Sequence, residues 1–395
     1  MVPDPVSDTP APTHNVTSVI GPWRTIWRPG DEPGLRQFMS IGELKLEAGG
    51  VLPDTVVCYE TAGTLNPERS NAILVLHGFT ADSHAMGPAG PGHPEAGWWN
   101  GIIGPGLALD TDRFHVVVPN VLGGCQGTTG PGQLRPDAKP WGSQWPVMTV
   151  RDMVASEMEL ATGLEIDSWY AVIGVSLGGM RALEWAVTSP ERQQRTIVIG
   201  VGAQATAEQI ALQTVQMRAI TDDPDFHDGD YYGVGDGRGP VKGMALARML
   251  GHLTYRSELE MHQRVGNRPQ DGEVTLSIDR VSGRFGVVSY LEHAGTRLER
   301  RFDPNTYLAI NEAMNHHDIG RDRGGVQAAM TRISATLTVV GMEEDRLYPI
   351  RLQKSLVTMA PKPIELQPVR SIVGHDAFLT DDAAMTEVLR PALEH

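Results

Sequence analysis

Ser176 stands at the centre of GVSLG, with Gly174 two residues before it and Gly178 two after, inside the stretch WYAVIGVSLGGMRALEWA. A serine hydroxyl is a useful nucleophile only when a base takes its proton and a rigid turn holds its oxygen outward. At a sharp strand-to-helix turn the residues on either side of the serine pass so close to other backbone that side chains would collide, hence the glycines. The pattern alone is weak in a chain with 44 glycines among 395 residues, where a glycine-flexed loop is the plainer alternative. Its setting, YAVIG as a strand before it and GGMRALEWA as a helix after it, predicts a nucleophile elbow at Ser176. The partners should follow as acid and then histidine, each just after a late strand. TLTVVGMEEDRLYP offers Glu343, Glu344 and Asp345, and SIVGHDAFL offers His375. Imidazole titrates near neutrality, and a carboxylate on its other nitrogen fixes the tautomer and stabilises the imidazolium. Asp345 ranks first of the three acids because it lies farthest past the strand, where a short side chain can turn back; Glu344 ranks second. A developing oxyanion also needs donors, and backbone amides supply them. One is Leu177; the other is expected from ILVLHGFTADSH, where Gly78 lets the loop bend its amides inward and Phe79 and Thr80 follow. Together these residues specify acyl transfer through an acyl-serine, a chemistry in which water is the commonest acceptor.

Such a site needs a parallel sheet whose carboxyl ends carry the reactive loops. NAILVLHG, FHVVVPN, WYAVIG, RTIVIGV and ATLTVVG are short, nearly continuous apolar runs, as expected of strands covered on both faces. Helical stretches such as TVRDMVASEMELATG and GGMRALEWAVTSP separate several of them, which predicts an α/β fold with a mostly parallel sheet. QFMSIGELKLEAGGVLPDTVVCYETAG alternates around a Gly-Gly and predicts an antiparallel start. Between about 206 and 325 the strand rhythm gives way to AEQIALQTVQMRAI, KGMALARMLGHLTYRSELEMHQRV and PNTYLAINEAMNHHDI, read as a helical lid inserted in a core of 19–205 and 326–395. The Gly- and Asp-rich pieces DDPDFHDGDYYGVGDGRGP and GNRPQDGEVTLSIDRVSGRFG read as loops.

Charge and composition exclude other classes. A net charge of −15 with no Lys/Arg stripe argues against nucleic acid, so an anionic substrate needs a local basic pocket. Cys58 and Cys125 show no paired-ligand spacing, which suggests neither a disulfide framework nor zinc and makes a reducing cytoplasm the default. NHHD at 315–318 places adjacent histidines on different helix faces, a poor metal site, and GVGDGRG lacks the ending of a phosphate loop; no metal and no cofactor is expected. MVPDPVSDTPAPTHNVTS (1–18) reads as a disordered arm rather than a signal peptide, and no apolar run is long enough to cross a membrane.

NVLGGCQGTTGP, WPVMTVRDMV, GVSLGGMRALEWA, LARMLGHLTYRS, DRLYP and GHDAFL together resemble the homoserine O-acetyltransferase family, from about Phe38 to the C-terminus. The resemblance implies an α/β-hydrolase core with a helical lid, a homodimer, and acetylation of L-homoserine from acetyl-CoA by a ping-pong route serving methionine biosynthesis. Succinyl transfer, serine as acceptor, or ester hydrolysis are the other readings. It implies Ser176 as nucleophile, Asp345 as orienting acid and His375 as base, in agreement with the reading above, which adds the Phe79 and Leu177 amides as oxyanion donors. Arg248, Tyr255, Asp376 and Thr80 are implied to meet the substrate, a guanidinium gripping its carboxylate and a carboxylate its ammonium. Two departures stand out: the family commonly has SD where this chain has EED, and HALT where it has HGFT.

Overall fold

The computed structural model describes residues 26–234, 239–276 and 283–394. The expected N-terminal arm and most of GVGDGRG lie outside the described residues. An eight-stranded sheet runs through the molecule. Its strands are β1 (Gln37–Lys45), β2 (Val51–Ala62), β3 (Ala72–Leu76), β6 (His115–Pro119), β7 (Ala171–Val175), β8 (Arg195–Ile199), β9 (Thr336–Met342) and β10 (Leu366–Val369). Between β3 and β6, the two-residue strands β4 (Ile103–Gly104) and β5 (Leu109–Asp110) pair apart from it. The order in the main sheet is β1-β2-β6-β3-β7-β8-β9-β10. The predicted hairpin is β1 with β2, antiparallel, and β2 meets β6 antiparallel; every later pairing is parallel.

All five residues of β3 and of β7 are buried, which is why these runs lack polar alternation. Side chains nonetheless alternate between two cores, as strand geometry requires. Leu74, Leu76 and Val172 enter one, while Ile73, Val75, Ile173 and Val175 enter the other. The connection from β3 leads to β6 on one side, and the next crossover carries the chain to β7 on the other. That reversal opens a crevice at the carboxyl ends of the strands, where open α/β sheets bind ligands.

Helices α1 (Val150–Gly163) and α2 (Leu177–Thr188) lie in the crossovers beside β7, and α1 starts at a reciprocal Thr149–Asp152 capping box. Between β8 and β9 come α3 (Ala207–Thr221), α4 (Val241–Tyr255), α5 (Glu258–Arg264), α6 (Gly286–Glu299), α7 (Pro304–Asn315) and the short α8 (Val326–Met330). After β9 follow α9 (Arg351–Met359), α10 (Ala377–Thr380) and α11 (Asp382–Glu394).

Two departures from the sequence reading have physical causes. The stretch KGMALARMLGHLTYRSELEMHQRV is two helices, broken at Arg256, whose backbone is extended at φ −105° and ψ 144°. Ser257 there caps α5 and donates its own N–H to Val373 O at 2.9 Å instead of continuing α4. Helix α6 lies where the sequence offered only a Gly-Asp-rich loop and its sequel. It lacks a side-chain N-cap, and it is held by packing on α4, where a Cβ on Gly295 would come within 3.0 Å of Ala245 O. Tertiary contact outweighs local propensity in such a case.

Candidate active site

The turn between β7 and α2 forces Ser176 to φ 54° and ψ −118°. Non-glycine residues seldom hold a positive φ, and such strain costs about 1–3 kcal/mol. The surroundings fix it: Ser176 N–H donates to Ile199 O at 2.9 Å, and Met180 N–H donates to Ser176 O at 3.1 Å. A Cβ on Gly174 would sit 1.9 Å from Gly178 O, and one on Gly178 would sit 1.8 Å from Leu76 O. Neither neighbour is a movable side chain. Gly178→Ala is therefore expected to cost at least ~3 kcal/mol, a large part of the ~5–15 kcal/mol by which domains are stable, by urea-denaturation midpoint. Gly90→Ala, with no atom within 4 Å of the new Cβ, should leave that midpoint in place.

His375 follows β10 and Asp345 follows β9, so the carboxyl ends of three parallel strands bring the groups together. Its Nε2 lies 2.9 Å from Ser176 Oγ and its Nδ1 lies 2.6 Å from Asp345 Oδ2. The other carboxylate oxygen of Asp345 accepts from the N–H groups of Leu347, at 2.9 Å, and Tyr348, at 2.7 Å. Glu343 and Glu344, the other acids of that loop, are exposed, and Glu343 faces Arg370. The imidazole is walled by Tyr348, stacked with ring centres 5.2 Å apart, and by Phe378 edge-on at 5.3 Å. Burial opposes its charge, but the charge and hydrogen bond of Asp345 and the charge of Asp376 outweigh burial and hold its pKa above the ordinary value.

The loop after β3 carries His77, Gly78, Phe79 and Thr80. Among the described residues, neither Phe79 N–H nor Leu177 N–H is taken by a backbone hydrogen bond. The Phe79 ring packs on Tyr307 of α7, ring centres 4.5 Å apart. The loop is braced from below by groups that sequence reasoning missed. Val121 N–H donates to His77 Nε2 at 3.1 Å, so Nδ1 carries the proton and donates to Gly78 O at 2.7 Å. Burial, with the nearby Arg181 charge, drives the His77 pKa down to about 3, keeping that tautomer neutral. Arg181, fully buried on α2, donates to His77 O at 3.2 Å and to Glu157 of α1 at 2.7 Å. Nothing local in the sequence marks Arg181 or Glu157, because burial of a charge depends on the partner that packing brings.

Arg248 and Tyr255 project from α4, with the guanidinium 5.4 Å from the phenol ring centre. Arg248 donates to Thr80 Oγ1 at 3.2 Å, which ties α4 to the loop after β3. Asp376, next to His375, is buried, with its Oδ2 3.2 Å from Arg256 Nε. All of these except Arg256 line one cavity, together with Ser176, His375, Phe79, Arg36, Asp82, Trp98 and Arg301. Leu177 is fully buried and is not among the lining side chains, which accords with a role for its backbone alone.

The NHHD histidines diverge: His316 is exposed, and buried His317 bonds Gly202 O at 3.0 Å. A different cluster, Glu60, His84 and His93, gathers possible ligand atoms beside the cavity. Its two rings are stacked at 3.7 Å and 10°, so their lone pairs lie in separate, nearly parallel planes and do not converge on one ion. The groups are engaged already: His84 Nδ1 with Glu60 at 2.9 Å, Ser83 Oγ with Glu60 at 2.9 Å, and His93 Nε2 accepting Leu35 N–H at 3.0 Å. Burial draws the His93 pKa to about 4, which suits an acceptor nitrogen.

The α/β hydrolase fold family matches residues 71–305. A homoserine O-acetyltransferase of Thermobifida fusca is 49% identical over 382 residues, covering 96% of this chain and 99% of the relative. One of Mycolicibacterium smegmatis is 49% identical over 357 residues, covering 90% of this chain and 92% of the relative. Among solved structures, the homoserine O-acetyltransferase of Bacillus anthracis superposes with a TM-score of 0.83 at 28% identity, covering 91% of this chain and 97% of that one. Esterase E22 superposes with a TM-score of 0.81 at 28% identity, covering 91% and 99%. Near-full-length identity of this order, on a sheet whose carboxyl edge assembles serine, histidine and carboxylate, places the chain in the homoserine O-acetyltransferase family of α/β-hydrolase proteins.

Proposed function

We propose that this protein transfers an acetyl group from acetyl-CoA to the hydroxyl of L-homoserine through an acetyl-serine at Ser176, as a step of methionine biosynthesis. The observation that carries the reading is the hydrogen-bonded line from Asp345 through His375 to Ser176, opening on a cavity that also holds Arg248, Tyr255 and Asp376. Asp345 keeps the proton on Nδ1, leaving Nε2 free to accept. As Ser176 Oγ attacks the thioester carbon, its proton passes to Nε2 and the carbonyl oxygen becomes an oxyanion, received by the N–H groups of Phe79 and Leu177. The C–S bond then breaks and Nε2 returns the proton to the departing thiolate. In the second half the homoserine hydroxyl gives its proton to Nε2 and attacks the acetyl carbon. The bond to Ser176 Oγ breaks, that oxygen recovers the proton, and O-acetylhomoserine leaves. No metal or bound cofactor is needed.

Arg248 takes the substrate carboxylate, with Thr80 steadying the guanidinium and Tyr255 beside it, and Asp376 takes the ammonium. Holding the hydroxyl in attack geometry favours it over water, and helices α3–α7 act as the cover that keeps water scarce. The esterase neighbour makes hydrolysis the second reading. A cation and an anion placed to grasp a zwitterion favour the acyltransferase, since water and simple alcohols require neither. We place the protein in the cytoplasm as a homodimer. Its buried free thiols Cys58 and Cys125 suit a reducing compartment, and exposed Leu246, Leu253 and Leu259 on α4 and α5 suit a partner copy.

The test follows free thiol released from acetyl-CoA with and without L-homoserine, then with succinyl-CoA or L-serine substituted. Homoserine-dependent release, with acetyl-CoA and homoserine giving the highest kcat/KM, is expected; equal release without any amino acid would assign the protein to the hydrolases. The same assay reads the base. Since neutral imidazole is the active form and its pKa lies above the ordinary value, donor kcat/KM should fall with decreasing pH through a limb above 6.5. Asp376→Asn removes one of the charges that raise it, so with an uncharged acetyl ester as donor the limb should move to lower pH.

A further inference from the structure

Helix α4 ends at Tyr255, and the next two residues form a seam with the loop that carries His375. Ser257 N–H donates to Val373 O at 2.9 Å, Ser257 Oγ donates to Ile372 O, and Asp376 N–H donates to Tyr255 O at 3.1 Å. Gly374 makes the close approach possible: its φ is +91°, and a Cβ there would lie 2.9 Å from Ser257 N. The seam buries Arg256 behind Asp376. Its Nε lies 3.2 Å from Asp376 Oδ2, and its Nη1 lies 3.6 Å from Glu260 Oε1, which in turn lies 2.7 Å from Arg264 Nε. Charges of alternating sign thus run from half-exposed Arg264 inward to Asp376.

Asp376 faces opposing influences from every side. Burial, the largest influence, together with the Asp345 charge holds its pKa above the ordinary carboxylate value, and Arg256 first, then Arg248 and His375, oppose that rise and favour the carboxylate. Arg248 faces the substrate carboxylate in the reading above, and His375 is neutral while it acts as base. Arg256, which Glu260 shares on its outer side, is then the cation left for Asp376. Its Nε and Nη1 are buried and make no hydrogen bond of good geometry, so charge rather than a fork-like bidentate bond holds the pair, leaving the carboxylate able to accept from a third group.

We infer that Arg256 is a positioning residue for the acceptor, holding the Asp376 carboxylate charged and aimed into the cavity so that the enzyme selects alcohols that also carry an ammonium group. The inference rests on Asp376 as the ammonium partner. A neighbouring arginine also makes the site unwelcoming to a bare cation: the ligand must bring its own anion for Arg248, which a zwitterionic amino acid does.

The test measures kcat and KM with acetyl-CoA and two acceptors, L-homoserine and 4-hydroxybutanoate, which lacks the ammonium. It uses the unaltered protein, Arg256→Gln, Arg256→Lys and Asp376→Asn. Arg256→Gln should raise KM for homoserine about tenfold or more while kcat changes less than about threefold, and should shrink the preference for homoserine over 4-hydroxybutanoate by the same factor. Arg256→Lys, which keeps the charge, should recover part of that preference; if Arg256→Gln fails to fold, Arg256→Met, which keeps an unbranched stem and drops the charge, takes its place, and an unchanged preference there overturns the inference. A preserved preference in Arg256→Gln, beside its loss in Asp376→Asn, overturns the inference and leaves the reading of Asp376 standing. A preserved preference in Asp376→Asn overturns both.

Discussion

Ser176→Ala is expected to lower kcat for acetyl transfer to homoserine on the order of 10⁵-fold while leaving the thermal midpoint within a few degrees. The substitution removes the oxygen that lies 2.9 Å from His375 Nε2, and among the described residues no other side chain hydrogen-bonds that nitrogen. It keeps the Cβ, and alanine is no better and no worse than serine at φ 54°. The strained turn is enforced by Gly174, Gly178 and the bond from residue 176 N–H to Ile199 O, none of which involves the hydroxyl. Loss of activity without loss of fold is thus the expected combination. Remaining thiol release would come from direct attack by bound homoserine on the thioester, with His375 as base.

Asp345→Asn should cost about 10³–10⁴-fold in kcat, through a tautomer rather than through a lost contact. One carboxylate oxygen accepts two backbone N–H groups, from Leu347 and Tyr348. In an asparagine the carbonyl oxygen must take that place, because an amide NH₂ cannot accept. The NH₂ then faces His375 Nδ1 and turns it into an acceptor, so the remaining ring proton sits on Nε2, pointing at Ser176. A base whose lone pair faces away from the nucleophile cannot take its proton. The lost carboxylate charge should also move the acid limb of the pH profile downward. Glu344→Gln, at an exposed carboxyl, should change kcat less than about threefold, since surface charges act weakly through solvent.

The parts of this site legible in the sequence are those whose physics is local. An all-apolar run that ends in Gly-x-Ser-x-Gly and leads into a helix could be read as an elbow because strand burial, the turn and the close approach act within a few residues. His375 and Asp345 could be named because each follows an apolar run, and a choice between Asp345 and Glu344 could be argued from reach. Local physics did not disclose the division of α4 from α5, where two hydrogen bonds to the His375 loop, more than a hundred residues away, replace helical ones. Nor did it disclose α6, whose glycines and β-branched residues disfavour a helix until Ala294, Gly295 and Leu298 meet α4. Arg181, Glu157 and Arg256 were equally silent. A buried charge looks like any surface charge until its partner is in place.

Arg181 and Glu157 sit beneath the loop after β3 and Arg256 sits behind Asp376, so each side of the cavity rests on a buried ion pair. Buried pairs contribute little net stability, because desolvation offsets attraction, but breaking one is costly. Their value here is positional: one fixes His77 O and the other Asp376, and neither takes part in bond making.

On the proposed route Ser176 carries the acetyl group between the two substrates. The direct measurement mixes the protein with acetyl-CoA alone, quenches within one turnover, and locates the acetyl group by peptide mass spectrometry before and after a chase with L-homoserine. One acetyl group is expected on Ser176, formed with release of free CoA and discharged as O-acetylhomoserine on the chase. Acetyl found on another residue, or CoA released only once homoserine is present, would contradict it.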